Sequence, residues 1–408
     1  MKNKNTIIEA KIGNLNELTK VLSVKEQAQE QLLVVMKALG IGKIVRNLKF
    51  EKAQGYTLTS LFISLLIMRL WGKTIASATS NHFHGLCAVS KNTLYRALLN
   101  ARIDWRMLLT KITLRFHAIF REHQVNTDEH DTCAILDDTT FQKSGIRIEG
   151  VSKVFGHVTH NFINGMKCLT PALSDGKSCY PIDFSLHREK GKKKDYGLTL
   201  KQRKEQFKEK RNAKNPDYAR KAECDESKLE MARRMLCHAV GHGINFKYVL
   251  ADSWFTCESL IQAVRELCGG SVHYIGLVKM NPKLRYQTSK SKRPQNIHEQ
   301  IVRYERTTSC YCRKYKCKYI QLHAKPGEQP IRIFIIKYGR STHWKVLLTT
   351  DTSMNFVRAF ELYERRWGIE VIFKECRGYL GLGKCQSRSY NAQIADTTLC
   401  FMMYQMLS

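Results

Sequence analysis

No stretch of this sequence is apolar for long enough to cross a membrane. The longest run, LFISLLIMRLW from Leu61 to Trp71, is broken by Ser64 and Arg69. It falls short of the ~18–20 residues that a spanning helix needs. The N-terminal MKNKNTIIEAKIGNLNELTK lacks the continuous apolar core of a secretory signal. Without export, the 14 cysteines read as free thiols of a reducing compartment rather than as a disulfide framework. Paired C-x2-C spacing is missing too. In SCYCRKYKC, Cys310, Cys312 and Cys317 follow the alternation of a strand, which argues against a structural zinc site. Acidic residues are scarce: 36 Asp+Glu face 67 Lys+Arg, a formal net charge of +31. Such an excess repels itself in a compact chain. A polyanionic partner, nucleic acid before membrane, is its physical rationale.

What is present divides into regions. A chain of 408 residues with 43% hydrophobic content has room for two or three folded domains. Residues 1–125 read as helical. GYTLTSLFISLLIMRLWG is a mostly buried helix, opened by Thr and Ser and closed by Gly72. In VSKNTLYRALLNARIDWRMLLTKITLRF, Ser90 is the expected N-cap, with Leu94, Ala97 and Leu98 on the inner face. Lys91, Asn92, Tyr95 and Arg96 face outward. That face fits a recognition helix and equally the surface of a helical bundle.

From about residue 130 the texture turns to β. CAILDD, FINGMKCLTPAL and SCYPIDFSLH read as three strands, the last two joined by the turn SDGK. Helices and strands then alternate: SKLEMARRMLCHAVGHG, FKYVLAD, CESLIQAVRELCGG and HYIGLVK. Strands followed by this alternation describe a mixed α/β sheet. Two basic segments interrupt it. Residues 187–222 hold 14 Lys+Arg against 5 Asp+Glu and read either as a solvated connector or as a nucleic-acid contact. Residues 281–345 hold 16 Lys+Arg against 3 Asp+Glu, alternate as strands (YIQLHA, IRIFIIKY, WKVLLTT), and interleave Tyr304, Tyr311, Tyr315, Tyr319 and Trp344. Cations mixed with aromatics suit a surface that tracks phosphates and stacks bases.

The chemistry rests on carboxylates. AILDD ends an apolar strand with Asp137 and Asp138, and YVLAD ends another with Asp252. A carboxylate there is costly unless it is paired, hydrogen-bonded or holding a metal. Two such strands in one sheet of a basic chain point to magnesium-dependent phosphodiester chemistry, which needs converging carboxylates. A third acid comes from ELYERRWGIEVIFKECR, read as one helix capped by Ser353 or Thr352. On a helical wheel Tyr363, Arg366, Glu370, Lys374 and Arg377 share a stripe about 80° wide, bordered by Phe360, Trp367 and Val371.

These residues resemble a known family, the bacterial insertion-sequence transposases of the DDE type, and within it insertion sequence family four. Its catalytic helix carries Tyr-x2-Arg-x3-Glu-x6-Lys; Tyr363, Arg366 and Glu370 match, and Arg377 stands where the family has lysine. DSWF resembles the second acid segment but has Trp254 at a small-residue position. LDDTT resembles the first, with Asp137 preferred over Asp138 because Asp-x-Thr follows directly on the strand.

The resemblance covers residues from about 130 to the end. It implies an α/β, ribonuclease H-like mixed-sheet core with a β-rich insertion, plus an all-α N-terminal region. The expected divisions are 1–125, a helical DNA-end-binding region; 126–280, the first part of the core with the connector 187–222; 281–345, the insertion; and 346–408, the C-terminal helices of the core.

The resemblance further implies cut-and-paste transposition of the protein's own element. Two magnesium ions, or manganese in their place, would be held by Asp137 (or Asp138), Asp252 and Glu370. Tyr363, Arg366 and Arg377 would hold the terminal phosphate next to a flipped base. Lys374, on the same stripe, is a further candidate DNA contact, and Trp344 and Trp254 are candidates to stack on that base, a role that no family motif assigns. A homodimer on paired terminal inverted repeats, in the bacterial cytoplasm at the nucleoid, follows from the same likeness. Another ribonuclease H-fold nuclease, such as a junction resolvase, and a catalytically inactive DNA-binding relative are the competing readings. The chain ends at MMYQMLS inside a segment that reads as an apolar helix, which leaves a natural end and a truncated copy both open.

Overall fold

The structure is a computed structural model that describes residues 27–48, 55–79, 89–123, 131–156, 160–189, 191, 197–288, 293–325, 329–339 and 341–408. Its strands are β1 (Cys133–Gln142), β2 (Ser152–Gly156), β3 (Asn161–Ser174), β4 (Cys179–Pro181), β5 (Ser185–His187), β6 (Tyr248–Ala251), β7 (His273–Val278), β8 (Arg285–Thr288), β9 (Gln295–Asn296), β10 (Ser309–Cys312), β11 (Cys317–Lys325), β12 (Ile331–Tyr338) and β13 (Trp344–Thr349). They join in one sheet, ordered β2-β3-β1-β6-β7-β13-β12-β11-β8-β9, with β4 and β5 paired to β3 and β10 to β11. β1 runs antiparallel to β3 and parallel to β6, which is parallel to β7. This is the mixed sheet of a ribonuclease H-like core. The strands of 281–349 extend it, because β13 pairs antiparallel with β7.

The strands of the core form where apolar residues run without a break, as expected when both faces are covered. Along β1, Cys133, Ile135 and Phe141 enter one core, and Ala134 and Leu136 the other. The first core holds the N-terminal helices and the C-terminal ones (Phe356–Glu364, Trp367–Gly378, Tyr390–Leu407). The second holds the helices Lys228–Gly241, Glu258–Glu266 and Ile297–Tyr304. Three layers result, helices on both faces of the sheet.

Among the described residues, the N-terminal region is helical. Thr57 caps the helix Leu58–Leu70, and Gly72 follows its end at φ 64°. Ser90 caps Lys91–Leu98, whose Leu94, Ala97 and Leu98 are buried while Lys91, Asn92, Tyr95 and Arg96 are exposed. The C-terminal helix Tyr390–Leu407 is buried on nearly every face. Its Gln405 amide donates to Thr113 Oγ1 and to Pro181 O, at 2.7 and 2.6 Å, tying the N-terminal helix Trp105–His123 to β4. No described helix is long and apolar enough to cross a membrane.

Several details differ from the sequence reading. SCYPIDFSLH is two short strands, β4 and β5, because residues 182–184 leave the ladder. The hairpin strand β2 was not foreseen. The described part of the basic connector folds. Helices Leu200–Glu205 and Pro216–Glu223 form there, and Asp217, Arg220 and Glu223 are buried. They are held by ion pairs: Arg106 to Asp183 and Glu223, Arg220 to Glu223, and Arg211 to Glu149 and Asp217. Composition alone makes such a segment look solvated, because paired charges carry its burial instead of apolar side chains. The helix after β13 is capped by Asn355, whose side chain accepts from Arg358 N at 2.9 Å, rather than by Ser353 or Thr352. Ser353 instead donates to Asp351.

Candidate active site

The parallel pairing of β1 and β6 matches Leu136 with Ala251. Asp137 and Asp252 therefore leave adjacent strands at the same level, about 4.8 Å apart along the hydrogen-bonding direction. Alternation sends Asp137 to the face covered by Trp367–Gly378 and Asp138 to the face covered by Lys228–Gly241. Each aspartate finds cations on its own face. Asp137 accepts from Asp138 N at 2.8 Å and from Arg366 Nη1 at 3.1 Å. Asp138 accepts from Lys228 Nζ at 3.2 Å and lies 3.9 Å from Lys167 Nζ. Asp252 Oδ1 accepts from Trp254 N at 2.9 Å, which folds the loop after β6 into a turn.

The third acid arrives on a helix that is not continuous. Phe356–Glu364 and Trp367–Gly378 are separate helices, joined through Arg365 and Arg366. Across the join the backbone tightens to three-residue steps: Arg365 N donates to Leu362 O, Arg366 N to Tyr363 O, Gly368 N to Arg365 O and Ile369 N to Arg366 O. The single stripe expected from the sequence is therefore twisted at Arg366. Ile369, Ile372, Phe373 and Cys376 bury the second helix against the core. Each full burial contributes about 1.5–3 kcal/mol. Gly368 lets the helix approach β4: a Cβ there would stand 2.9 Å from Cys179 Sγ.

This seating puts Glu370 beside Arg366, whose Nη2 donates to Glu370 Oε1 at 2.5 Å. One guanidinium thus joins Asp137 to Glu370. Tyr363 lies under it, ring centroid 5.9 Å from the guanidinium carbon, with a buried hydroxyl. Burial pushes that phenol up to about 12. Burial also raises the Asp137 carboxyl, from an ordinary 3.8 to about 7. The Asp138 amide and Arg366 pull it down, while the charges of Asp252 and Asp138 add to the rise.

A cleft of about 1550 Å³ opens over the carboxyl ends of these strands. Asp137, Asp138, Asp252, Trp254 and Arg377 line it; Tyr363, Arg366, Glu370, Lys374 and Trp344 do not. Arg377 donates to Thr139 Oγ1 and to Thr140 O on β1, so it reaches the cleft wall rather than the carboxylates. Lys374 is exposed on its helix. Trp344 sits two strands from Asp252, under Lys337 Nζ at 5.1 Å. Trp254 is 43% exposed, with Lys228 Nζ 3.9 Å from its ring centroid. Lys228 and Lys167 were missed in the sequence; nothing local distinguishes them from the other lysines of a basic chain.

Adjacent strand-end aspartates joined to a helical glutamate form the pattern that family comparison decides. The model of the DDE superfamily endonucleases matches residues 63–302. The chain belongs to the DDE superfamily. A second family model, the transposase DDE domain, matches residues 220–406, which include Asp252 and Glu370. No curated protein matches the chain.

DDE-superfamily nucleases act on DNA and typically use divalent metals, which makes the donor set worth testing. Three carboxylates suit a hard cation. Among the described residues, however, no three His, Cys, Asp or Glu side chains are gathered as a metal-holding group. The guanidinium of Arg366 instead bridges Asp137 and Glu370. The donors present fit a divalent ion in type, and Arg366 pairs with two of them, Asp137 and Glu370.

Proposed function

We propose that this DDE-superfamily protein is a DNA transposase of the insertion sequence family four type, moving its own element by cut-and-paste. The observation that carries the reading is the register of Asp137 with Asp252, together with the link from Asp137 through Arg366 to Glu370. Asp137, Asp252 and Glu370 are the proposed metal ligands. Asp138 is set aside because it faces the opposite side of β1 and is engaged by Lys228 and Lys167. Two magnesium ions, or manganese in their place, would supply Lewis-acid polarisation of the scissile phosphate and an activated hydroxyl nucleophile.

The remaining groups bind and orient the DNA end. Arg366, with Tyr363 beneath it, and Arg377 on the cleft wall would hold the terminal phosphate. A guanidinium does so bidentately where the family's lysine acts as a point charge. Of the two tryptophans, Trp254 is the better base-stacking platform: it lines the cleft, is partly exposed, and stands two residues from Asp252. The exposed face of Lys91–Leu98 suits recognition of the terminal repeats, and a homodimer would pair two ends. The basic strands of residues 281–349 extend the surface available to the duplex.

The test is strand joining. Purified protein is incubated with magnesium, a fluorescent duplex ending in the element's terminal repeat, and a supercoiled target plasmid. Labelled plasmid is the expected product, lost in Glu370→Gln. Cleavage of branched DNA without joining would favour a resolvase, and binding without turnover an inactive relative.

A further inference from the structure

Arg366 makes two contacts that a DNA-binding arginine does not need. Its Nη1 donates to Asp137 Oδ2 at 3.1 Å and its Nη2 to Glu370 Oε1 at 2.5 Å. The side chain is only 17% exposed, and the tight turn from Leu362 to Ile369 aims it inward. It bridges two of the three carboxylates read as metal ligands, and a divalent ion cannot share that place with it. We propose that Arg366 is a resident counter-ion of the metal site, released only when a DNA phosphate takes its guanidinium, so that metal loading is coupled to engagement of a DNA end. This rests on the reading of Asp137, Asp252 and Glu370 as metal ligands.

The physical case is one of competition. A guanidinium is always charged, and its fork satisfies two carboxylates at once. Charge-assisted hydrogen bonds of this kind are about twice as strong as neutral ones, which favours the bridged state in the free protein. A ligand that needs a minor state binds more weakly in proportion to that state's population. Metal alone must break both contacts. A phosphate offers the same fork an equivalent bidentate partner, and its binding frees the carboxylates. By linkage, whatever factor DNA adds to metal affinity, metal adds to DNA affinity. The arrangement would keep a strongly basic nuclease from loading its metal on the wrong occasions.

The experiment measures manganese binding rather than activity. Free Mn2+ is followed by electron paramagnetic resonance in titrations of the full chain, with and without a short blunt duplex. Wild type is compared with Arg366→Gln and Arg366→Met, both checked by circular dichroism. Without DNA, both variants are expected to bind Mn2+ about tenfold more tightly than wild type, in the usual range of coupling between sites. The duplex should tighten wild-type binding by a similar factor and leave the variants unchanged. Equal or weaker binding by the variants without DNA overturns the proposal, as does a duplex effect shared by all three. The wild-type duplex effect needs no variant to fold, and its absence also overturns the proposal. Asp252→Asn separates the two levels. If it leaves Mn2+ binding intact, the metal-site reading fails. If it abolishes binding while the Arg366 variants match wild type, only the counter-ion proposal fails.

Discussion

At Gly368 the Glu370 helix lies close against β4, and replacing this glycine by alanine has two opposing effects. The new Cβ would lie 2.9 Å from Cys179 Sγ and 3.0 Å from Cys179 Cβ. Alanine is favoured over glycine in a helix by about 1 kcal/mol, but overpacking costs about 1–3 kcal/mol. The net change in stability is therefore small, a loss of up to about 2 kcal/mol by those two ranges. Relief of the clash moves Cys179 and the helix apart by a few tenths of an ångström, and Glu370 moves with the helix. A misplacement of about 1 Å can cost 10²-fold in rate, so DNA nicking should fall by roughly ten- to a hundredfold. The assay pairs nicking rate with a thermal melt. Cys179→Gly in the same chain removes both clashing atoms and should restore much of the rate. Unchanged nicking in Gly368→Ala, or no recovery in the double variant, would refute the seating of this helix as the means of placing Glu370.

Other perturbations follow from the same geometry. Arg106→Met strips the buried carboxylates of Asp183 and Glu223 of a shared cation and should cost about 3–5 kcal/mol, read from the denaturant midpoint. Asp137 supplies a pH dependence. Its folded carboxyl titrates at about 7 against an ordinary 3.8, so it contributes stability in acid that is lost as pH rises through about 7. Metal binding has the opposite sign, since a ligand must be deprotonated. Mn2+ affinity should weaken as pH drops below about 7, and Asp137→Asn should flatten the pH slope of metal-free stability. On the N-terminal helix, alanine at Lys91 or Arg96 should weaken binding to end DNA and lower the salt slope by about one each.

The parts of this molecule that could be read from its sequence are those where one local rule dominates. The apolar runs of β1, β6 and β7 announced a buried sheet, and a carboxylate ending such a run is conspicuous because it is expensive. Ser90 was legible as a cap because the signal is a hydroxyl before an amphipathic segment. What could not be read depends on the partner of a residue. Two-residue alternation separates Asp137 from Asp138, yet only the packing of Trp367–Gly378 decides which face receives the glutamate. The break at Arg365–Arg366 arises where three-residue steps bring Arg366 to Asp137, and no proline or glycine pair marks it. Residues 197–222 misled composition because their Arg211 pairs with Asp217 and Glu149, and their Arg220, with Arg106, pairs with Glu223 inside the fold.

The most direct test compares neighbours. Asp137→Asn and Asp138→Asn are assayed side by side for magnesium-dependent nicking of a duplex carrying the element's end. Asp252→Asn and Glu370→Gln serve as references. The account predicts that Asp137→Asn is as inactive as the references while Asp138→Asn, whose partners are Lys228 and Lys167, retains most of its activity. An active Asp137→Asn beside an inactive Asp138→Asn would contradict it.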